Sequence, residues 1–294
     1  MTLSANNISV RFGGIQALDD VSVKVRPGQV VSVIGPNGSG KSTLFNAITG
    51  FVTPESGRVE IDGADIGQVP PHRRVRLGVV RTFQTPRIDP DVSVLEALKC
   101  GLATLPRNGF LGAVLTTPRN RCDERAIDAA AARVVEELGL SEVRDTPMGK
   151  LPMGVVRLVD VGRAAVCRPK FILLDEPAAG LSSDEQNVLK AQIRRLADSG
   201  VGVLLVEHNF RFVMELAEHL TVLDQGRVIA SGDPEQVSRQ PEFIRAYLGS
   251  IGEQDAPGEM PATKVPSATE QAIAAAMQPL LSCRDLGARY GSIR

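Results

Sequence analysis

The sequence has almost no net charge, no long apolar run and no paired cysteines. Its formal charge is -1, so no overall basic balance favours binding to nucleic acid. No apolar run approaches the roughly 20 residues that a helix needs to cross a bilayer, and the N-terminus lacks the basic and apolar segments of a secretion signal. The four cysteines show neither C-x-x-C spacing nor histidine partners, which predicts thiols rather than disulfides or zinc sites. We therefore expect a cytoplasmic protein that does not bind nucleic acid.

Short apolar runs alternate with helical patterns along most of the chain. The runs cover residues 30–34, 79–83, 171–174 and 202–206. Hydrophobic residues make up 43% of the sequence, which is enough for a large core. This organisation predicts an α/β fold with a buried, largely parallel sheet.

Two regions depart from this alternation. Residues 3–10 and 21–25 alternate between apolar and polar side chains around a turn at Gly13 and Gly14, which predicts a small antiparallel sheet at the edge of the fold. Between residues 92 and 168 the strand signal fades, and residues 126–138 carry a helical pattern. We expect a helical subdomain inserted there between two strands of the parallel sheet.

The composition changes after residue 249. Residues 250–280 are rich in Gly, Pro, Ser, Thr, Ala and Glu, which predicts a flexible linker. Residues 281–294 align without a gap with residues 3–16, and Leu, Ser, Arg, Gly and Ile recur in register. The repeat predicts the start of a second, truncated copy of the domain formed by residues 1–249, as in a tandem arrangement. A chance match within a flexible tail is the alternative.

A glycine-rich segment between a predicted strand and a predicted helix has the pattern G-x-x-x-x-G-K-[S/T]. It consists of Gly35, Pro36, Asn37, Gly38, Ser39, Gly40, Lys41, Ser42 and Thr43. The glycines allow backbone N–H groups to turn toward phosphate oxygens, and the N-terminus of the helix adds partial positive charge. We predict that this phosphate loop binds ATP, with Lys41 on the β- and γ-phosphates and the Ser42 hydroxyl on Mg²⁺. The alternative is a Gly-rich turn with a chance lysine.

Two acidic residues follow the apolar run at residues 171–174. Asp175 and Glu176 would lie at the carboxyl edge of a parallel sheet, where ligands bind in such folds. Phosphoryl transfer depends on positioning and on charge neutralisation more than on covalent chemistry. We predict that Asp175 holds Mg²⁺ through water and that Glu176 polarises the attacking water. The alternative is a pair of acids on the surface.

The phosphate loop and the sequence Ile172-Leu173-Leu174-Asp175-Glu176-Pro177 resemble those of ABC transporter ATPases, and the resemblance runs from about residue 3 to residue 249. It implies that Gln84 contacts the metal and joins the nucleotide site to the helical subdomain, and that His208 senses the γ-phosphate. It also places Phe12 where the family has an aromatic residue that stacks on adenine. Taken alone, Gln84 would be a solvated loop residue and His208 a strand-end histidine. Core packing is the alternative for Phe12.

Three further phrases resemble the ATPases of branched-chain amino acid importers. They are Gly78-Val79-Val80-Arg81-Thr82-Phe83-Gln84, Glu176-Pro177-Ala178-Ala179-Gly180-Leu181 and Ile244-Arg245-Ala246-Tyr247-Leu248-Gly249. The resemblance implies a subunit peripheral on the inner face of the cell membrane, which pairs with a second ABC ATPase domain and meets permease subunits through residues 85–118. A solute-binding protein outside the membrane would be an indirect partner. Importers for urea, short amides or other amino acids remain an alternative.

One segment departs from the family pattern. The family sequence Leu-Ser-Gly-Gly-Gln falls at Leu151-Pro152-Met153-Gly154-Val155, which we call the signature segment, and Ser182 stands where many relatives carry aspartate. Pro152 offers neither a hydroxyl nor an N–H group to the phosphate of a partner domain's ATP. We therefore expect two unequal ATP sites, with Arg157 adding charge at the weaker one.

Two interpretations of a different class remain. A soluble ABC ATPase that acts on DNA or ribosomes would fit a tandem arrangement, but Lys264 is the only basic residue among residues 250–280. A nucleotide-binding module that no longer turns over would fit the degenerate signature segment. The presence of Glu176 and His208 argues against it.

Overall fold

A computed structural model describes residues 1–103 and 118–245, in which strands and helices alternate for most of the chain. The strands are β1 (Leu3–Phe12), β2 (Ile15–Val25), β3 (Val30–Ile34), β4 (Ser56–Ile61), β5 (Ala64–Asp65), β6 (Val79–Arg81), β7 (Phe171–Asp175), β8 (Gly202–Val206), β9 (His219–Asp224) and β10 (Arg227–Gly232). The helices are α1 (Lys41–Thr49), α2 (Pro71–Arg76), α3 (Val94–Ala103), α4 (Pro118–Glu137), α5 (Met153–Ala165), α6 (Ser183–Asp198), α7 (Phe210–Leu216) and α8 (Pro234–Ser238).

The larger sheet has six strands in the order β10-β9-β3-β8-β7-β6. All neighbours pair in parallel except β10, which is antiparallel to β9. Every residue of β3, β7 and β8 is buried, because helices and the second sheet cover both faces. The predicted α/β fold is confirmed. The strand predicted over residues 79–83 ends earlier, at Arg81. Phe83 and Gln84 follow it as exposed residues beyond the edge of the sheet.

The smaller sheet has four antiparallel strands in the order β2-β1-β4-β5. Its first two strands meet at the predicted turn at Gly13 and Gly14, where Phe12 pairs with Ile15. One core cluster joins this sheet, α1 and one face of the larger sheet, so the helix after the phosphate loop is held by both sheets.

Helices α3, α4 and α5 lie between β6 and β7 in sequence and share a core of their own, as predicted for the helical subdomain. The helix predicted over residues 126–138 begins earlier, at Pro118. Cys100 and Cys167 are not joined in a disulfide. In the described ranges, none of the helices combines the length and the apolar character required for a membrane crossing.

Several predictions lie wholly or partly outside the described residues. They concern the linker at residues 250–280, the repeat at residues 281–294 and the end of the first domain near residue 249. The segment expected to meet the permease, residues 85–118, is described except for residues 104–117. The domain boundaries stay predictions.

Candidate functional site

The phosphate loop connects β3 to α1 through three glycines with positive φ. Gly35, Gly38 and Gly40 have φ values of 156°, 81° and 104°. A Cβ atom on Gly35 would lie 2.1 Å from the Leu223 carbonyl oxygen, and one on Gly40 would lie 2.6 Å from the Ala17 carbonyl oxygen. Both the backbone conformation and the space at these two positions therefore require glycine.

Lys41 begins α1 and turns its side chain back into the loop. Its Nζ donates hydrogen bonds of 2.8 Å to the carbonyl oxygens of Gly35 and Pro36. Burial lowers the pKa of Lys41, and the charges of Glu176 and Asp175 oppose that shift. Glu176 and Asp175 therefore lie close enough to act on the ammonium group, which brings the two predicted motifs into one site.

The other loop residues present polar groups that suit an anion. The Ser39 hydroxyl is buried and has no hydrogen-bond partner in the described ranges. Asn37, Gly38 and Ser42 are exposed, whereas Pro36, Gly40 and Thr43 are half-buried. An anion in the loop would satisfy the Ser39 hydroxyl and the free N–H groups at the start of α1. The loop therefore fits a phosphate group.

Asp175 ends β7 and forms a buried ion pair with Arg81 at the end of the neighbouring strand β6. The Arg81 Nη2 and Asp175 Oδ2 atoms are 2.6 Å apart, and each side chain is 8% exposed. Arg81 also donates a 2.6 Å hydrogen bond to the Asn46 side-chain oxygen on α1. Sequence reasoning missed Arg81, although a charged residue in an otherwise apolar strand was a visible signal.

Glu176, Gln84 and His208 converge beside Asp175. The Gln84 Nε2 atom donates a 2.7 Å hydrogen bond to Glu176 Oε2, and the His208 Nδ1 atom lies 3.8 Å from the same oxygen. Glu176 has a φ of 47°, and its N–H donates a 2.9 Å hydrogen bond to the Val206 carbonyl. The structure thus brings together the three residues that the sequence predicts for catalysis, although they come from three separate segments.

The residues predicted to hold Mg²⁺ offer oxygen ligands. Asp175 supplies a carboxylate, Gln84 an amide oxygen and Ser42 a hydroxyl at the start of α1. Hard oxygen ligands are the ones that Mg²⁺ prefers, with phosphate oxygens and water completing the coordination. The donor set therefore fits this metal.

Phe12 lies away from the core, at the tip of the β1–β2 hairpin. Its side chain is 51% exposed. The alternative of core packing for Phe12 is therefore wrong. An exposed aromatic face is available for stacking on a ligand.

The signature segment leads into α5, which begins after Pro152 and faces Glu185 of α6. A Cβ atom on Gly154 would lie 2.2 Å from Glu185 Oε1, so the start of α5 packs directly against the Glu185 carboxylate. Glu185 also forms a capping box with Ser182, and the hydrogen bonds from Ser182 lower the pKa of Glu185. Arg157 donates to the Gln84 carbonyl, so its charge is engaged within this domain.

A groove of about 390 Å³ separates α2 and β6 from α3 and α5. Its lining is mainly apolar with a few charged groups of both signs, and includes Phe51, His72, Val80, Phe83, Asp160 and Arg163. Phe51 and Phe83 are exposed there and meet edge to face, with ring centroids 6.2 Å apart. The groove borders both the helical subdomain and the strand that carries Arg81.

Known proteins resemble this chain over most of its length. The model of the ABC transporter family matches residues 18–179. BraF of Pseudomonas aeruginosa, a high-affinity branched-chain amino acid transport ATP-binding protein, is 41% identical over 248 residues, which cover 84% of this chain and 97% of BraF. LivG of Escherichia coli K12 has the same description and is 37% identical over 249 residues, with coverage of 84% and 97%.

Solved structures show the same architecture. A nucleotide-free ATP-binding cassette from an ABC transporter is similar with a TM-score of 0.74 and 35% identity, over 84% of this chain and 99% of the other. An ATP-binding cassette of an ABC transporter in the ADP conformation gives 0.74 and 36%, over 85% and 99%. With the phosphate loop and the acidic pair already in place, these similarities show that the chain belongs to the ABC transporter family and is one of its ATPases.

Proposed function

We propose that this ATPase powers the import of branched-chain amino acids through permease subunits in the membrane. The observation that carries the proposal is the similarity to BraF and LivG over 97% of their lengths. Both are described as branched-chain amino acid transport ATP-binding proteins. The chain would act from the inner face of the membrane, with a solute-binding protein on the other side as an indirect partner.

Lys41 and the phosphate loop would hold the ATP phosphates. The Lys41 ammonium group donates to two loop carbonyls in the described conformation, and it would exchange them for β- and γ-phosphate oxygens. The N–H groups between Gly35 and Thr43 would add further hydrogen bonds at the positive end of α1. Phe12, exposed at the hairpin tip, would stack on the adenine ring.

Bound Mg²⁺ would supply positive charge to the phosphate oxygens. Ser42, Gln84 and Asp175 would hold it, Asp175 through water. Arg81 keeps the Asp175 carboxylate in place at the end of β7 through the 2.6 Å ion pair. The residues of this chain thereby orient the metal without forming a protein-only cage.

Glu176 would polarise the attacking water, and Gln84 and His208 would tie that carboxylate to the γ-phosphate. The Gln84 side chain already donates a 2.7 Å hydrogen bond to Glu176 Oε2, and the His208 Nδ1 atom lies 3.8 Å from the same oxygen. Arg157 joins the Gln84 backbone to the signature helix α5. A change at the γ-phosphate would therefore reach the helical subdomain through a chain of direct contacts.

A second ABC ATPase domain would complete the ATP sandwich. In that arrangement the signature segment of each domain faces the ATP of the other. Here Pro152 lacks the expected hydroxyl, and the Glu185 side chain packs against Gly154. Both features support two unequal sites, of which the one that uses this signature segment hydrolyses ATP more slowly. An unchanged hydrolysis rate after mutation of the partner's signature serine would contradict the proposal.

The groove between the helical subdomain and the strand β6 would receive the permease. Its apolar lining and exposed Phe51 and Phe83 suit an amphipathic segment. It adjoins the described part of residues 85–118, the segment predicted for this contact. ATP binding would close the sandwich below the permease, and hydrolysis with product release would reopen it.

Uptake of radiolabelled leucine tests the function. Cells would carry either the intact gene or the variant Lys41→Ala, and labelled urea would be supplied in parallel. Loss of leucine uptake alone in the variant is the expected result. Loss of urea uptake alone would keep the importer and overturn its substrate, and unchanged uptake of both would contradict the transport function.

A further inference from the structure

Glu207 is a fully buried acid that lies directly before His208. Its side chain is 0% exposed. Its Oε1 atom accepts a 2.7 Å hydrogen bond from the Ala178 N–H, and its Oε2 atom is buried without a hydrogen-bond partner in the described ranges. Burial raises the pKa of Glu207, which the Ala178 hydrogen bond opposes. An acid in this place is unfavourable for folding, so a function is the simplest reason for it.

The contact with Ala178 fixes the segment that follows the catalytic site. Two hydrogen bonds attach residues 176–181 to the end of β8. One runs over 2.9 Å from the Glu176 N–H to the Val206 carbonyl, and the other from the Ala178 N–H to Glu207. Glu176 has a φ of 47°, a left-handed conformation that is unfavourable for a non-glycine residue. The conformation persists only where neighbouring contacts hold it.

We propose that Glu207 is a positioning residue for ATP hydrolysis. Its Oε1 atom holds the Ala178 N–H, fixes residues 176–181 against β8, and thereby places the Glu176 carboxylate between Gln84 and His208. The inference rests on the function proposed above, because it assigns the support of the same hydrolytic site. It predicts that Glu207 affects the chemical step and leaves ATP binding by the phosphate loop unchanged.

Two substitutions separate the hydrogen bond from the rest of the side chain. Glu207→Gln keeps a carbonyl oxygen that can accept from Ala178, whereas Glu207→Leu has a similar size and no acceptor. For Glu207→Leu we expect kcat to fall about 10- to 100-fold, as for a small misplacement of a catalytic group, with the KM for ATP within about twofold of wild type. Glu207→Gln should keep kcat within about threefold of wild type, since the acceptor remains.

A matched control comes from the same sheet. Thr221 on β9 is 1% exposed, and its Oγ1 lies 3.3 Å from the Ser231 hydroxyl. The control variant Thr221→Val removes a buried polar group away from residues 176–181 and should leave kcat unchanged. A fall in kcat for Thr221→Val as large as that for Glu207→Leu would overturn the proposal, because loss of any buried polar group would then explain the effect.

Amide hydrogen exchange gives a second measurement that does not depend on turnover. In the full chain, Glu207→Leu should speed exchange of peptides covering residues 176–181 about tenfold or more, since the Ala178 N–H loses its acceptor. Peptides of the phosphate loop should keep their wild-type rates. Unchanged exchange at residues 176–181, unchanged kcat in Glu207→Leu, or equal losses in Glu207→Gln and Glu207→Leu would each overturn the proposal. Absence of turnover in the wild-type protein would instead contradict the proposed function, and the exchange rates would still decide the role of Glu207.

Discussion

Substitution of Arg81 tests whether the buried ion pair with Asp175 supports the catalytic edge. Arg81→Met keeps an apolar stem and removes the guanidinium group, which leaves Asp175 buried at 8% exposure without its partner. Removal of one member of a buried pair typically destabilises a protein by about 3–5 kcal/mol. Because each kcal/mol lowers the melting temperature by about 2–4 °C in a domain of this size, we expect a fall of about 10 °C.

The double variant Arg81→Met/Asp175→Asn isolates the pair from other effects of the substitution. With no charge left at either position, it should be about 2 kcal/mol more stable than the sum of the single variants predicts. Scanning calorimetry of the nucleotide-free proteins measures all four melting temperatures. Additive losses in the double variant would refute the coupling of Arg81 to Asp175 and, with it, the role of Arg81 in holding the metal carboxylate.

Three further predictions concern a buried cation, a buried acid and an exposed ring. Arg74 is 1% exposed and donates hydrogen bonds to four carbonyl oxygens, two of them in the last turn of α1. Arg74→Met should therefore lower the free energy of unfolding, measured by urea titration, by about 3–4 kcal/mol. A loss below about 1 kcal/mol would contradict this prediction. Burial raises the pKa of Glu207 above 4.5, with Glu176 adding to the shift and His208 opposing it. Between the pKa of the unfolded state and that of the folded state, Glu207 keeps a proton in the folded protein that it loses in the unfolded chain. The stability that depends on this proton is complete below the unfolded pKa and is lost as the pH rises through the folded pKa. Melting curves from pH 4 to pH 8 should show Glu207→Gln gaining on wild type as the pH rises, and a constant difference would exclude the effect. Phe12→Ala should weaken ATP binding about tenfold in calorimetric titrations, while the melting temperature of the nucleotide-free protein stays unchanged. An unchanged affinity would exclude stacking.

Local patterns were sufficient to predict the phosphate loop and the acidic pair. Gly35 to Thr43 form one contiguous segment, and the strand before Asp175 is a continuous apolar run, so both features are visible without knowledge of the fold. The alternation of strands and helices predicted that the central sheet is largely parallel, but not the order of its strands. The strands β4 and β5, and the strands β9 and β10, form two hairpins that were not predicted, because none of the four is a continuous apolar run like those in β7 and β8.

Contacts between distant segments could not be predicted. Arg81 and Asp175 are 94 positions apart, and Ala178 and Glu207 are 29 apart, so only the folded sheet shows that they meet. The close approach of Glu185 to Gly154 is also invisible in the sequence. Such contacts arise from the register of the sheet and from helix packing, which periodicity does not specify.

ATP turnover and ATP binding by purified Glu176→Gln test the hydrolytic site most directly. The substitution keeps the shape and the Gln84 contact and removes the negative charge that would polarise water. We expect the variant to bind ATP with the wild-type Kd and to hydrolyse it more than about 100-fold more slowly. Hydrolysis at the wild-type rate would contradict the assignment of Glu176 and the account of the site that is built around it.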